Sequence, residues 1–97
     1  MTKAVSAVGF DFEKKQSELI ESKMKRIEYA EDLIVDLTMR VKHDRMYTFD
    51  ATVNFRWGTQ GHVTSEDFEF AAGLNKLMDV LDTKIKKEKD KIQEHNK

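Results

Sequence analysis

The stretch that decides the fold is residues 33–57, LIVDLTMRVKHDRMYTFDATVNFRW, because apolar and polar residues alternate along it in two runs. The apolar positions are Leu33, Val35, Leu37, Met39 and Val41 in the first run and Tyr47, Phe49, Ala51, Val53, Phe55 and Trp57 in the second. Alternation with a period of two is typical of strands that bury one face. Residues 43–46 make a short turn between the runs, so the two strands are predicted to pair antiparallel.

Two shorter strands are predicted on either side of this pair. A turn at residues 58–61 leads to a strand at about residues 62–65. Near the N-terminus, residues 3–8 form a weaker candidate, with Val5 and Ala7 facing inward.

A helix is predicted over residues 13–30, between the first strand and the central pair. Its apolar stripe consists of Leu19, Ile20, Met24 and Ile27. Asp11 is the expected cap, with Phe12 near the staple position. Three cations, Lys23, Lys25 and Arg26, lie in its second half.

The last third of the chain is predicted to be one long helix with two kinds of face. Its apolar stripe consists of Phe70, Leu74, Leu77, Leu81, Ile85 and Ile92. At 100° per residue, Lys76, Lys84, Lys87 and Lys91 line one flank of that stripe, and Lys86 and Lys89 line the other. Gly73 inside this helix should cost about 1 kcal/mol relative to alanine. The lysines fit either a polyanion site or a solvated end favoured by the helix dipole.

The element order is therefore β-α-β-β-β-α, an α+β fold with a four-stranded mixed sheet. Each helix has one apolar face, so both are expected to pack on one face of the sheet. A right-handed crossover makes the first strand parallel to the second. The other sheet face should meet solvent.

Composition limits the chain to a single domain over residues 1–97, with a core at about residues 3–94. The 17 basic and 18 acidic residues nearly cancel, so a nucleic-acid site would need segregated charge. There is no cysteine, which excludes disulfides and thiolate chemistry. No apolar run is long enough to span a membrane, and the N-terminal residues do not have a signal-peptide pattern, so a cytoplasmic location is expected.

Catalytic and metal-binding patterns are missing from the sequence. His43, His62 and His95 have no second ligand at metal-binding spacing. The four glycines are too scattered for a phosphate loop, and no nucleophile elbow occurs. We therefore expect no catalytic residue, no metal and no cofactor, and a protein that is not an enzyme. Trp57 could stack on a base, but the end of the core is its more natural place.

Four segments together resemble a known family. They are residues 21–28 in the first helix, residues 50–53 (Asp-Ala-Thr-Val), residues 62–65 in the short strand, and residues 77–92 with the lysine-rich end of the second helix. Their order and spacing resemble the short ribosome hibernation promoting factors, the family that includes the ribosome-associated inhibitor called protein Y. The resemblance covers about residues 5–92.

The sequence departs from the family pattern at four places. Ala71 stands where the second helix usually has tyrosine, and Thr83 stands where arginine is common. In the first helix, Glu13 replaces a threonine cap and Gln16 replaces a core leucine. The resemblance implies that the rRNA contact of the missing arginine passes to Lys84 or is lost.

The resemblance implies a hibernation factor that binds the small ribosomal subunit at the decoding region. It would block mRNA and A- and P-site tRNA by occupancy and so inhibit translation. The expected rRNA-binding residues are Lys23, Lys25, Arg26, Lys84, Lys86, Lys87, Lys89 and Lys91. Two helices lying side by side would bring the first three beside Lys84, Lys87 and Lys91. The partners would be the small subunit and its rRNA, with no DNA and no membrane, and the free protein is expected to be a monomer.

Two other functions fit the same sequence. One is a protein-interaction module that uses the exposed sheet face, with Arg40, Arg56 and Trp57 as its binding surface. The other is a general binder of structured RNA.

Overall fold

The computed structural model describes the backbone of residues 1–95 and the side chains of residues 1–92. The elements are β1 (Thr2–Val8), α1 (Lys14–Met24), a 3-10 helix (Lys25–Leu33), β2 (Ile34–His43), β3 (Tyr47–Phe55), β4 (Gln60–Asp67) and α2 (Phe70–His95). The predicted order β-α-β-β-β-α is confirmed, and the short strand predicted at residues 62–65 is longer at both ends. The last two residues of the chain lie outside the described part.

The four strands form one sheet in the order β1-β2-β3-β4. β1 runs parallel to β2, and the two following pairs are antiparallel. The mixed sheet follows from the sequence: residues 9–33 provide the crossover that a parallel pair needs, whereas short turns join the other strands.

The core lies between the inner face of this sheet and the helices. α2 packs on β3 and β4, and both α1 and the 3-10 helix pack on α2. Every second residue of β3 from Phe49 to Phe55 is buried, as the alternation predicts. From α2 the buried hydrophobic side chains are Phe70, Leu74, Leu77, Met78, Leu81 and Ile85. The expectation that both helices cover one sheet face is confirmed.

At the start of β2, the prediction of which side chains point into the core is wrong. Ile34 is fully buried, whereas Val35, assigned to the inner face, is 49% exposed. The pairing of β2 with β3 shifts between Ile34 and Asp36. Such a bulge reverses the alternation on one side of it, so the two-residue period holds only from Leu37 onward.

The first helix also differs from its prediction. It is α-helical only from Lys14 to Met24 and then tightens into the 3-10 helix. Because α1 begins at Lys14, its N-cap is Glu13, and the predicted cap Asp11 lies two residues further toward the N-terminus. The Glu13 backbone N–H donates to Gln16 Oε1 at 2.9 Å, so the glutamine takes part in the cap.

β1 is the most exposed strand. Val5 and Ala7 pair in register with Met39 and Val41, so they face inward as predicted. No residue of β1 is fully buried, however, and Val5 is 37% exposed. The inner side of this edge strand borders an open groove beside α1, whose lining includes Lys3.

Gly73 marks the closest approach of α2 to the sheet. A Cβ at this position would lie 2.5 Å from Cε1 of Phe49, far inside van der Waals contact. The Gly73 carbonyl also accepts a hydrogen bond from Ser65 Oγ at 2.8 Å. Gly73 therefore lowers the helix propensity of α2, but because it has no Cβ it allows α2 to pack directly against Phe49 of β3.

Candidate nucleic-acid interface

The lysines of α2 occupy two opposite flanks, as the helical spacing predicts. We call Lys76, Lys84, Lys87 and Lys91 the β4 flank, because two of them contact β4. Lys76 Nζ lies 2.8 Å from Asp67 Oδ2, and this hydrogen bond lowers the pKa of the Asp67 carboxyl. Lys84 lies against Gly61. Within the described residues Lys87 has no carboxylate partner, and it is exposed.

The opposite flank of α2 faces the 3-10 helix, and we call Arg26, Lys86 and Lys89 the groove cluster. These cations line a cleft of about 560 Å³ together with Tyr29, Asp82 and Asp90. Arg26 is paired with Asp79 at 2.9 Å, and Lys86 with Asp82 at 3.2 Å. The cleft is therefore of mixed charge, not purely basic.

A hydrogen bond from the Tyr29 hydroxyl to the Asp82 carboxylate joins the two walls of this cleft. Burial raises the pKa of Tyr29, and the hydrogen bond raises it further. The same hydrogen bond lowers the pKa of the Asp82 carboxyl, with a further contribution from Lys86. The Asp82 carboxylate is thus ionised at neutral pH, and it is already bound by the Tyr29 hydroxyl and by Lys86.

The expected meeting of the first-helix cations with Lys84, Lys87 and Lys91 is wrong. The 3-10 helix lies on the other side of α2, so Arg26 meets Asp79, Lys86 and Lys89. Lys23 is half-buried, one turn before Arg26. Lys25 lines the separate groove between α1 and β1. Seven of the eight predicted residues are thus divided among three surfaces, and Lys23 lines neither groove.

Glu88 is a feature of the site that sequence reasoning missed. It is 5% exposed and is the one buried charged side chain among the described residues. It pairs with Lys84 at 3.3 Å and with Lys91 at 3.5 Å. The helical spacing could have revealed it, because position 88 falls on the apolar stripe between Ile85 and Ile92.

The outer face of the sheet is polar, as predicted, and its groups largely bond to one another. Asn54 donates to Asp36 at 2.7 Å, and His62 lies 3.1 Å from Asp50. Arg40 stands opposite Asp50 in the ladder.

Trp57, at the edge of the sheet, stacks on Phe55 at a centroid distance of 4.9 Å and packs against the core. Its place at the end of the core is the one expected. Of the three residues expected to form a binding surface, Trp57 is therefore occupied in packing against the core.

The histidines have separate surroundings. His43 stacks on Tyr47 at 3.9 Å, His62 contacts Asp50, and the side chain of His95 lies outside the described residues. Within the described part of the chain, no three potential metal ligands cluster. Over the same residues, no helix is both long and apolar enough to cross a membrane.

Residues 4–93 match the family described as sigma 54 modulation protein / S30EA ribosomal protein. A search of curated proteins finds no match.

Two solved structures share the fold. A ribosomal subunit interface protein from Coxiella burnetii superimposes with a TM-score of 0.83 at 24% identity, covering 93% of this chain and 99% of that chain. The Protein Y N-terminal domain from Thermus thermophilus gives a TM-score of 0.73 at 18% identity, covering 90% and 98%. The match over nearly the whole length, together with the resemblance noted in the sequence, shows that the chain belongs to the S30EA family of ribosome hibernation promoting factors.

Proposed function

We propose that this protein binds the small ribosomal subunit at the decoding region and inhibits translation by occupying the sites of mRNA and of A- and P-site tRNA. Its family consists of ribosome-associated factors that are not enzymes, so a ribosomal role is established by membership. Occupancy needs a surface that holds rRNA and a fold that fills space, and no bond has to be made or broken.

The observation that carries the proposal is the row of lysines on the β4 flank. Lys84, Lys87 and Lys91 follow one another along α2 at helical spacing, over about 10 Å of helix axis. Lysine ammonium groups in such a row can bind the phosphate oxygens through which proteins are positioned on RNA. We place the main rRNA contact on this flank.

The remaining predicted cations have a secondary role in the proposal. Arg26 is paired with Asp79, whose side chain is 69% exposed, so an incoming phosphate would meet that carboxylate beside the cation, and Lys86 is paired with Asp82. The carboxylate of Glu88, which pairs with Lys84 and Lys91, is buried instead. Lys89 shares the cleft of Arg26 and Lys86, and Lys23 and Lys25 lie apart from it. Acidic residues beside these cations would restrict binding to a surface of matching shape, which suits a chain of net charge −1.

We further propose that the free protein is a cytoplasmic monomer whose partners are the small subunit and its rRNA. Light scattering at micromolar concentration tests this assembly state. A stable dimer would contradict it.

Sedimentation through a sucrose gradient tests the function directly. Purified protein should travel with isolated bacterial small subunits and should reduce their binding of mRNA and tRNA. Protein that remains at the top of the gradient would refute the proposal and favour an interaction module. Equal binding to unrelated structured RNA would favour a general RNA binder.

Salt dependence tests whether phosphates are the ligands. If four to six lysines contact phosphates, counterion release predicts a slope of log affinity against log salt of roughly −3 to −5. A slope near zero would contradict phosphate binding, whatever the affinity.

A further inference from the structure

One lysine of the β4 flank is held along its whole side chain. The stem of Lys84 crosses β4 at Gly61, where a Cβ would lie 3.1 Å from Lys84 Cε and 3.3 Å from its Cγ. The Lys84 ammonium is 3.3 Å from a carboxylate oxygen of Glu88, one helical turn further on. An ordinary surface lysine samples many rotamers, whereas this one is restrained at its stem and at its head.

Glu88 restrains a second lysine in the same way. The oxygen that meets Lys84 also lies 3.5 Å from Lys91 Nζ. The carboxylate is buried, while the side chains of Lys84 and Lys91 are 35% and 69% exposed. The two ammonium groups therefore lie outside the carboxylate, where a ligand would meet them first.

This arrangement leaves donors free for a ligand. An ammonium has three N–H donors, and the bond to Glu88 uses one of them. A phosphate could accept from both lysines while Glu88 keeps its place behind them. Lys87, exposed on the same flank between the two, adds a third charge.

We propose that Gly61 and Glu88 are positioning residues that hold Lys84 and Lys91 ready to bind a phosphate of folded RNA. We call these four residues the lysine seat. The inference rests on the proposed function and deepens it, because it names what orders the site before the ligand arrives. The benefit is entropic: side chains already ordered lose less freedom on binding.

The Gly61→Ala variant tests the seat without changing any charge. Its new methyl group would meet the Lys84 stem and Val53 Cγ1, and the flexible lysine is the neighbour that moves more easily. Affinity for isolated bacterial small subunits at fixed salt should fall about three- to tenfold. Thr64→Ala, on the outer face of the same strand, is the matched control and should bind like the wild type.

A double-mutant cycle separates positioning from general damage to the fold. In a Lys84→Gln background, Gly61→Ala should have no further effect, because no ammonium remains to be placed. An equal loss in both backgrounds, or no loss in either, would overturn the role of Gly61.

The Glu88→Gln variant gives a second test that does not depend on how Gly61→Ala folds. Replacing the carboxylate by a neutral amide removes one negative charge, so a mechanism based only on charge predicts tighter binding to RNA. The seat predicts binding that is weaker by about threefold, because both lysines lose their anchor. Tighter or unchanged binding would overturn the role of Glu88. Failure of the wild type to bind subunits would instead refute the proposed function, so the two failures are distinguishable.

Discussion

The two flanks of α2 carry the same residue type in different settings. In the groove cluster, Arg26 pairs with Asp79 and so joins the 3-10 helix to α2, whereas Lys86 pairs with Asp82 within α2 itself. On the β4 flank, Lys84 and Lys91 share the carboxylate of Glu88, which is buried while the two lysine side chains are partly exposed. A count of lysines along the helix would treat the flanks as equal. Their partners differ, because the Asp79 side chain that pairs with Arg26 is 69% exposed and that of Glu88 is 6% exposed. Under the proposed function, we therefore expect the β4 flank to be the one that meets rRNA.

The largest effect should come from the stripe that separates the flanks. Leu81 is fully buried, so Leu81→Asp would bury a charge without a partner and lower the free energy of unfolding by several kcal/mol. Chemical denaturation measures this. Val80→Asp is the neighbouring control, because Val80 is 42% exposed and should tolerate the change. Equal stability of the two variants would refute the packing described.

The next largest effect should be on the affinity for small subunits, and it should come from the β4 flank. Replacing Lys84, Lys87 and Lys91 by glutamine should weaken binding to small subunits about a hundredfold and reduce the salt slope by about two to three. Glutamine is preferred to glutamate because Glu88 is buried beside two of these positions and would repel new carboxylates. Binding like that of the wild type would show that the lysine row is not the RNA surface.

The matched change on the other flank should matter less for binding. Replacing Arg26, Lys86 and Lys89 by glutamine removes the same charge but should weaken subunit binding by less than about fivefold, because carboxylates line this cleft or lie exposed beside it and would repel a phosphate. If the two triple variants lost the same affinity for small subunits in the same titration, the proposed difference between the flanks would be refuted.

The smallest effect concerns the hydrogen bond that closes the groove. Tyr29→Phe removes the donor to Asp82 and should lower the free energy of unfolding by about 1 kcal/mol near neutral pH. Tyr47→Phe serves as control, since its hydroxyl has only a long contact with Gln16, at 3.4 Å.

The difference between wild type and Tyr29→Phe should also depend on pH. The lowered pKa of Asp82 means that stability is lost as pH falls below about 4, toward the folded-state pKa. The raised pKa of Tyr29 means that stability is lost as pH rises above about 10, where the unfolded tyrosine ionises. The advantage of the wild type should therefore be greatest between these limits. A difference that does not vary with pH would refute the coupling.

The sequence predicted most of the fold because two-residue alternation and helical periodicity are strong signals. It failed at Val35, where a bulge interrupts the alternation, and at residues 25–30, where the helix narrows. Neither event has a local signal as clear as a glycine or a proline. Aspartate is a common capping residue, so the sequence favours Asp11 as the N-cap. In the structure the cap is Glu13, whose backbone N–H donates to Gln16.

The candidate site was harder to predict, for a physical reason. Helical spacing correctly placed Lys86 and Lys89 opposite Lys84 and Lys87, because it depends on one element alone. Which flank faces the first helix depends on how two elements pack, and that expectation was wrong. Gly61 could not be connected with Lys84 from the sequence, since their contact joins β4 to a helical residue 23 positions further along the chain.

The exposed edge strand has a consequence for how the molecule opens. β1 is attached by a ladder of backbone hydrogen bonds to β2, and none of its side chains is fully buried. Local opening of a strand like this costs much less free energy than global unfolding, so its amide hydrogens should exchange with solvent well before those of β3. Lys3, on the inner side of that edge, discourages another strand from pairing there while β1 is in place. The sheet therefore has a cooperative antiparallel centre and one strand that can leave and return without disturbing it.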